Sequence, residues 1–148
     1  MSLEKQVIEE IKAAMKAKDT VALQALRALK SAFMLEKTAG ADHSLSPEQA
    51  MKIVQKQVKQ RKDSADIFIK QGRQDLANPE LTEAAILEKF LPEALSEEEI
   101  QKVVAEVIER LGAESMKDMG KVMGIVSKQL AGQADGKTIS GIVRKYLA

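Results

Sequence analysis

Apolar residues recur along most of this chain at intervals of three and four, the spacing that places them on one face of an α-helix. The most regular run comprises Ile100, Val103, Val104, Val107, Ile108 and Leu111. A second run comprises Met116, Met119, Met123, Val126 and Leu130. No segment alternates apolar and polar residues with the period of two that is typical of a strand. We therefore predict an all-α protein.

Polar residues and glycines mark where the helices begin and end. Ser46-Pro47-Glu48-Gln49 and Ser96-Glu97-Glu98-Glu99 have the form of capping boxes. Three further N-caps are predicted at Asp19, Ser115 and Asp135. Four glycines follow helical patterns and are predicted to end helices in the left-handed conformation: Gly40, Gly72, Gly112 and Gly132. These signals divide the chain into seven helices.

One proline-containing connection predicts a domain boundary. The fourth helical segment, 73–90, contains Asn78-Pro79, where the missing N–H predicts a kink or a short turn with a new helix start at Pro79. Leu91-Pro92-Glu93-Ala94-Leu95 then leads to the cap at Ser96. We predict an N-terminal four-helix domain over 1–92 and a small C-terminal three-helix bundle over 96–148.

The composition excludes several classes of chemistry. The chain has no cysteine and a single histidine, His43, which excludes thiol nucleophiles, disulfides and multi-histidine metal sites. There is no glycine-rich phosphate loop. We therefore predict no catalytic residue, no metal and no cofactor. The first residues, MSLEKQVIEEIKAAMK, mix charged with apolar groups and resemble neither a signal peptide nor a membrane span, so we expect a cytoplasmic protein without a membrane partner.

Charge is distributed unevenly, although the net charge is only +1. Residues 52–73 carry a net charge of +5, residues 74–109 carry −8, and residues 110–148 carry +4. Two basic stretches thus flank an acidic one. They are interpreted either as solvated or mutually paired helix faces, or as a basic surface for an anionic partner.

Four ordered blocks of sequence carry a family resemblance. They are KQRKDSADIFIKQGRQDLA at 59–77, ILEKFLPEALSEEEI at 86–100, KDMGKVMG at 117–124 and QADGKTISGIVRKYL at 133–147. Together they resemble the GatB/YqeY family over the whole chain. The resemblance implies a four-helix unit followed by a three-helix unit. It also implies a relation to the B subunit of the glutamine-dependent aspartyl/glutamyl-tRNA amidotransferase, a carbon–nitrogen ligase with glutamine as amido-N-donor.

In that enzyme the family's region helps to bind and position tRNA, while other parts of the complex carry the chemistry. The resemblance therefore implies a tRNA-binding accessory module without its own active site. Its expected partners are tRNA and components of the amidotransferase or of aminoacyl-tRNA synthetases. The alternative is a helical protein–protein interaction module that does not bind RNA.

The candidate RNA-binding residues surround two glycines. Gly120 and Gly124 are four apart, hence on one helix face, and Lys117, Lys121 and Lys128 lie around them. One interpretation is a bare backbone surface that meets an RNA backbone, and the other is close packing of this helix against the last one near Gly141. The predicted basic set is Lys117, Lys121, Lys128, Arg144, Lys145, Arg61 and Lys62.

A second charged cluster lies at the corner between the third and fourth helices. Arg61 occupies a position in the third helix where the apolar seam requires an apolar residue. Either the helix leaves the core at Arg61, or the guanidinium reaches a carboxylate on a neighbouring element. Arg73 and Asp75 follow the predicted helix end at Gly72. We predict a structural ion-pair network that fixes the angle between the two helices, formed by Arg61, Asp63, Arg73 and Asp75. The alternative is an anion-binding site.

Overall fold

The computed structural model describes residues 2–148; Met1, the first residue of the predicted N-terminal domain, lies outside this range. Within residues 2–148 there is no strand, which confirms the all-α prediction. The helices are α1 (Leu3–Ala17), α2 (Thr20–Ala39), α3 (Pro47–Lys70), α4 (Gln74–Glu88), α5 (Glu97–Leu111), α6 (Met119–Gln129) and α7 (Gly136–Leu147). A 3₁₀ turn, Met116–Asp118, leads into α6.

The predicted caps form as hydrogen bonds. The Ser46 hydroxyl accepts from Gln49 N at 3.1 Å, and Gln49 Oε1 accepts from Ser46 N at 2.9 Å, which completes a capping box. Ser96 and Glu99 form the second box at the start of α5. The side chains of Asp19, Ser115 and Asp135 likewise accept backbone N–H groups of the following turn. Local sequence therefore defines these helix starts.

Two details of the helix boundaries differ from the prediction. Gly40 ends α2 with φ −81° and ψ 147°, an extended conformation, so the left-handed conformation predicted there is wrong. The new helix start predicted at Pro79 is also wrong, because α4 continues through this residue. Proline removes one hydrogen bond of the helix, but burial of Ala77 before it and of Ala84 and Leu87 after it holds the helix on the core.

The chain divides into two compact units, one extending to Leu91 and the other comprising Pro92–Ala148. The first contains α1–α4, and the side chains that dominate its core are Val7, Leu26, Leu29, Phe33, Val54, Val58 and Leu87. The second contains α5–α7, with a core of Ile100, Val104, Val107, Val122, Val126, Leu130, Ile139, Ile142, Val143 and Leu147. That each unit is an independent domain stays a prediction.

The segment before α5 is part of the second unit. Leu95 N donates to Gln133 O at 3.0 Å, and Gln133 Nε2 donates to Glu93 O at 3.5 Å. Leu95 also packs against the core of this unit. These contacts connect the approach to α5 with the loop between α6 and α7.

Candidate nucleic-acid interface

The outer face of α6 combines bare backbone with positive charge. Val122 and Val126 are buried and anchor the helix on the core of the second unit. Gly120, Lys121, Gly124 and Lys128 are exposed. At about 100° per residue, these four positions fall within an arc of about 100° on the side opposite the buried valines. The face therefore presents main chain flanked by two lysines.

The two glycines of α6 face open space. A Cβ atom placed on Gly120 or Gly124 would meet no atom within 4 Å beyond its own stretch of helix, and the same holds for Gly141 of α7. The interpretation in which these glycines pack α6 against α7 is therefore wrong. Because α6 docks through Val122 and Val126, its glycines point away from the core.

The three lysines around this face are exposed: Lys117, Lys121 and Lys128. None of them forms an ion pair within residues 2–148. Lys117 lies in the 3₁₀ turn, where the Ser115 hydroxyl accepts its backbone N–H at 3.3 Å. The nearby Asp118 carboxylate accepts from Glu114 N at 3.1 Å. The positive charge of the lysines is therefore available to an anionic partner.

The exposed side of α7 is basic as well. Its buried side consists of Ile139, Ile142, Val143 and Leu147. Arg144 and Lys145 are exposed in the last turn, where the helix dipole also favours positive charge. Sequence reasoning missed Lys137, which is exposed and shares one face of α7 with Gly141 and Arg144. Lys137 is four residues before Gly141 and seven before Arg144, and this helical spacing is the signal that could have added it to the basic set.

Charge is separated between the helices of the second unit. Residues 115–148 contain six lysines and arginines but only Asp118 and Asp135 as acids. Asp135 caps α7 by accepting from Thr138 N at 2.6 Å. In contrast, α5 carries five glutamates against Lys102 and Arg110. The basic charge of this unit is therefore concentrated on α6, α7 and the turn that precedes α6.

Arg61, predicted both as an RNA contact and as a partner of Asp63 and Asp75, is engaged elsewhere. Its Nη1 atom lies 2.7 Å from Glu83 Oε2 and 3.5 Å from Glu80 Oε2, both on α4. Asp63 is two residues from Arg61 and therefore points to another side of α3. Asp75 lies at the start of α4, about two turns before Glu83. Arg61 is therefore paired with acids of α4 and not with Asp63 or Asp75.

The other members of the predicted ion-pair network form local pairs. Arg73 Nε and Nη2 donate to the two carboxylate oxygens of Asp75 at 3.0 and 2.9 Å. This hydrogen bonding lowers the pKa of Asp75 and raises that of Arg73. Asp63 pairs with Lys59 at 2.8 Å. The corner thus contains a bidentate pair, separate from the contacts of Arg61.

Lys62, predicted as an RNA contact, pairs with Glu88 of α4, and about half of the Lys62 side chain is exposed.

Glu83, the α4 partner of Arg61, is buried, and this desolvation raises the pKa of its carboxyl group above the usual range. The attraction of Arg61 opposes that shift and the nearby Glu80 adds to it. The basic side chains between α3 and α4 are therefore occupied with acids of the same unit.

The described residues contain neither a metal-binding cluster nor a membrane-spanning helix. Within residues 2–148 no group of three or more His, Asp or Glu side chains is arranged to hold a metal ion. None of the helices in this range is long and apolar enough to cross a membrane. His43 lies in the exposed turn between α2 and α3.

Comparison with known proteins supports the family resemblance. The chain is 35% identical over 74 residues to the E subunit of the glutamyl-tRNA(Gln) amidotransferase of Thermococcus gammatolerans, an alignment that covers 47% of this chain and only 12% of that protein. It is 31% identical over 136 residues to the altered inheritance of mitochondria protein 41, mitochondrial, of Kluyveromyces lactis, with 90% of this chain and 69% of that protein covered. The family model described as Yqey-like protein matches residues 4–147. The chain therefore belongs to the Yqey-like protein family.

Proposed function

We propose that this protein is a tRNA-binding accessory module related to the tRNA-dependent amidotransferases, and that it acts without an active site of its own. The open face of α6 is the observation that carries the proposal. Gly120 and Gly124 leave the main chain bare, and Lys117, Lys121 and Lys128 surround it and form no ion pair with any residue from 2 to 148. Lysines that contact phosphates give affinity without reading the base sequence.

The outer side of α7 extends this surface in the proposal. Lys137, Arg144 and Lys145 add three cations in the same compact unit. The side chains of Phe33, Phe68 and Phe90 are buried or partly buried. Among the aromatic residues of the described range 2–148, only Tyr146 is therefore exposed. Stacking on aromatic platforms is thus a minor contribution, and recognition proceeds through the backbone and shape of the RNA.

The similarity to a component of a tRNA-dependent amidotransferase supports the choice of tRNA as the nucleic acid. It also supports components of the amidotransferase as protein partners. Components of aminoacyl-tRNA synthetases stay a further prediction. In this arrangement the module positions a tRNA while a partner carries the carbon–nitrogen ligase chemistry. Placement in the cytoplasm stays a prediction, and the name of the Kluyveromyces lactis relative raises mitochondria as a second location to examine.

A fluorescence titration of labelled tRNA tests this function. The whole protein and the Lys117→Gln, Lys121→Gln, Lys128→Gln triple variant are compared at two or more salt concentrations. The parent should lose affinity steeply with salt because its binding releases counterions from the phosphates. The variant should bind more weakly, and the slope of log affinity against log salt should be shallower by roughly 0.7–0.9 for each phosphate that the variant no longer neutralises.

A matched control separates a local effect from a change of net charge. Lys5, Lys16 and Lys30 are exposed lysines of the first unit, and replacing them by glutamine removes the same charge. This control should keep nearly the parental affinity and salt slope. If both triple variants bind like the parent, α6 is not an RNA surface. If the parent does not bind tRNA at all, the interaction-module alternative replaces this function.

A further inference from the structure

The first unit contains a groove, whereas the basic residues of α6 and α7 belong to the second unit. The groove has a volume of about 590 Å³ and runs between α1 and the C-terminal end of α4. The helices around it pack in pairs, α1 on α2 and α4 on both α2 and α3. Ala22 and Leu26 of α2 lie at its base. The groove therefore lies between α1 and the end of α4, and the nearly buried Ala22 and Leu26 of α2 form its floor.

Both walls of this groove are apolar, but one carries small side chains and the other carries large ones. Ala13 and Ala17 of α1 are exposed and one turn apart, while Ile86 and Phe90 form the opposite wall. Methyl side chains on one wall allow another helix to approach closely, and the larger apolar groups opposite provide area to bury. The chemistry of the two walls therefore suits the apolar face of an amphipathic helix.

The rim of the groove is acidic. Glu9, Glu10 and Asp19 line it together with a single cation, Lys89. Asp19 is held in place because its Oδ1 atom accepts from Ala22 N at 3.0 Å. Glu9 Oε1 lies 3.5 Å from Lys12 Nζ, and both side chains remain more than half exposed. The excess of acids favours an occupant whose polar edges are positively charged.

We propose that this groove binds a basic amphipathic helix of a partner protein. The apolar face of that helix covers Ala13, Ile86 and Phe90, and its lysines or arginines meet the carboxylates of Glu10 and Asp19. The proposal does not depend on RNA binding, because every residue that lines the groove belongs to the first unit.

The test uses defined peptides and the whole protein. The probe is a fluorescein-labelled 14-residue peptide of leucine and lysine with leucines at helical spacing, and binding is followed by fluorescence anisotropy. In one comparison peptide every lysine is replaced by glutamate, and in another the same residues are reordered so that no apolar face forms. We expect the basic amphipathic peptide to bind at least about tenfold more tightly than either comparison peptide.

Two variants with matched controls locate the site. Ala13→Trp fills the groove and should weaken binding about tenfold or more, whereas Ala85→Trp, at an exposed position of α4 that does not line the groove, should not. Glu10→Lys should weaken binding about fivefold, whereas Glu36→Lys on α2 should leave it unchanged. Circular dichroism of each variant verifies its fold.

Three results would overturn the proposal. The first is equal binding of the lysine and glutamate peptides. The second is parental affinity in both folded groove variants, Ala13→Trp and Glu10→Lys. The third is loss of peptide binding in the Lys117→Gln, Lys121→Gln, Lys128→Gln variant, which would place the peptide on the surface proposed for RNA. Retained peptide binding in that variant, with loss in Ala13→Trp, supports a separate protein-docking site.

Discussion

Arg61 Nη1 and Glu83 Oε2 lie 2.7 Å apart and join α3 to α4 within the first unit. Only 5% of the Glu83 side chain and 16% of the Arg61 side chain are exposed. Arg61 Nε is buried without a hydrogen-bond partner in the described part of the chain. A buried ion pair of this kind adds little net stability, but the loss of one partner leaves an uncompensated charge in the interior.

We therefore expect Arg61→Met alone to be strongly destabilising, by about 3 kcal/mol, because Glu83 would remain buried without its nearest cation. The double variant Arg61→Met, Glu83→Leu should recover most of that loss, since both charges are removed together. Urea denaturation of the single and double variants at neutral pH, followed by circular dichroism, measures both free energies of unfolding.

Lys62→Met is the matched control, because the pair between Lys62 and Glu88 is about half exposed. Its effect should stay below about 1 kcal/mol. If Arg61→Met were no more destabilising than Lys62→Met, the pair at Glu83 would be no more important than a surface ion pair.

The pH dependence of stability provides a second test of Glu83. Burial raises the pKa of its carboxyl group, so at this position the folded protein binds a proton more tightly than the unfolded chain does. The stability that this proton binding contributes is complete below the unfolded pKa, near the ordinary glutamate value of 4.5, and is lost as the pH rises through the raised folded pKa.

Glu83→Gln removes this titration. The free energy of unfolding of the parent, minus that of the variant, should therefore decrease as the pH rises from about 4 towards 7. Denaturant titrations at several pH values within that window measure the difference. An increase with pH would show that attraction to Arg61 outweighs the desolvation of the carboxylate.

Sequence reasoning was most accurate where structure is determined locally. Both capping boxes and the caps at Asp19, Ser115 and Asp135 form as predicted, because each involves contacts within a few residues of the chain.

The apolar run predicted from Met116 to Leu130 matched the buried side of α6 less well. Met116 is exposed, whereas Val122, absent from the predicted run, is buried. Periodicity gives the helix, but the precise face depends on where α5 and α7 lie.

The partner of Arg61 could not be obtained from sequence for a similar reason. Which carboxylate it meets depends on the register of α3 against α4, and Glu83 is 22 residues away. Sequence left two interpretations of Gly120 and Gly124, packed or open, because glycine suits both. Their environment became clear only once the buried side of α6 was known.

The second unit should fold alone. A fragment comprising Pro92–Ala148 retains its core and the capping box at Ser96. We expect it to be helical and to unfold cooperatively on heating, although chains near 60 residues are only marginally stable. A shorter fragment, 96–148, lacks the Leu95 N to Gln133 O hydrogen bond and the apolar contacts of Leu95, so it should melt at a lower temperature.

Thermal melts of the two fragments by circular dichroism make this comparison. Equal melting temperatures would mean that residues 92–95 do not stabilise the unit. A Pro92–Ala148 fragment without cooperative unfolding would show that the division at Leu91 separates packing units but not independent domains.

Substitutions at Gly124 test whether this face of α6 is open. A methyl group at this position would enter open space, and alanine is favoured over glycine inside a helix by about 1 kcal/mol. Gly124→Ala should therefore stabilise the protein by roughly that amount. The control is Gly112→Ala, which should destabilise it, because Gly112 ends α5 with φ +64°.

Gly124→Leu extends the test to function. Because the site is open, the larger side chain should not reduce the free energy of unfolding below that of the parent. Under the proposed function it should nevertheless weaken tRNA binding, since it covers the bare main chain between Lys121 and Lys128. Denaturation of Gly124→Leu shows whether the face is packed or open, and tRNA titration of the same variant shows whether the bare backbone contacts RNA. A marked loss of stability would indicate that this face is packed, whereas parental stability with parental tRNA affinity would mean that bare backbone at Gly124 is not needed for RNA contact.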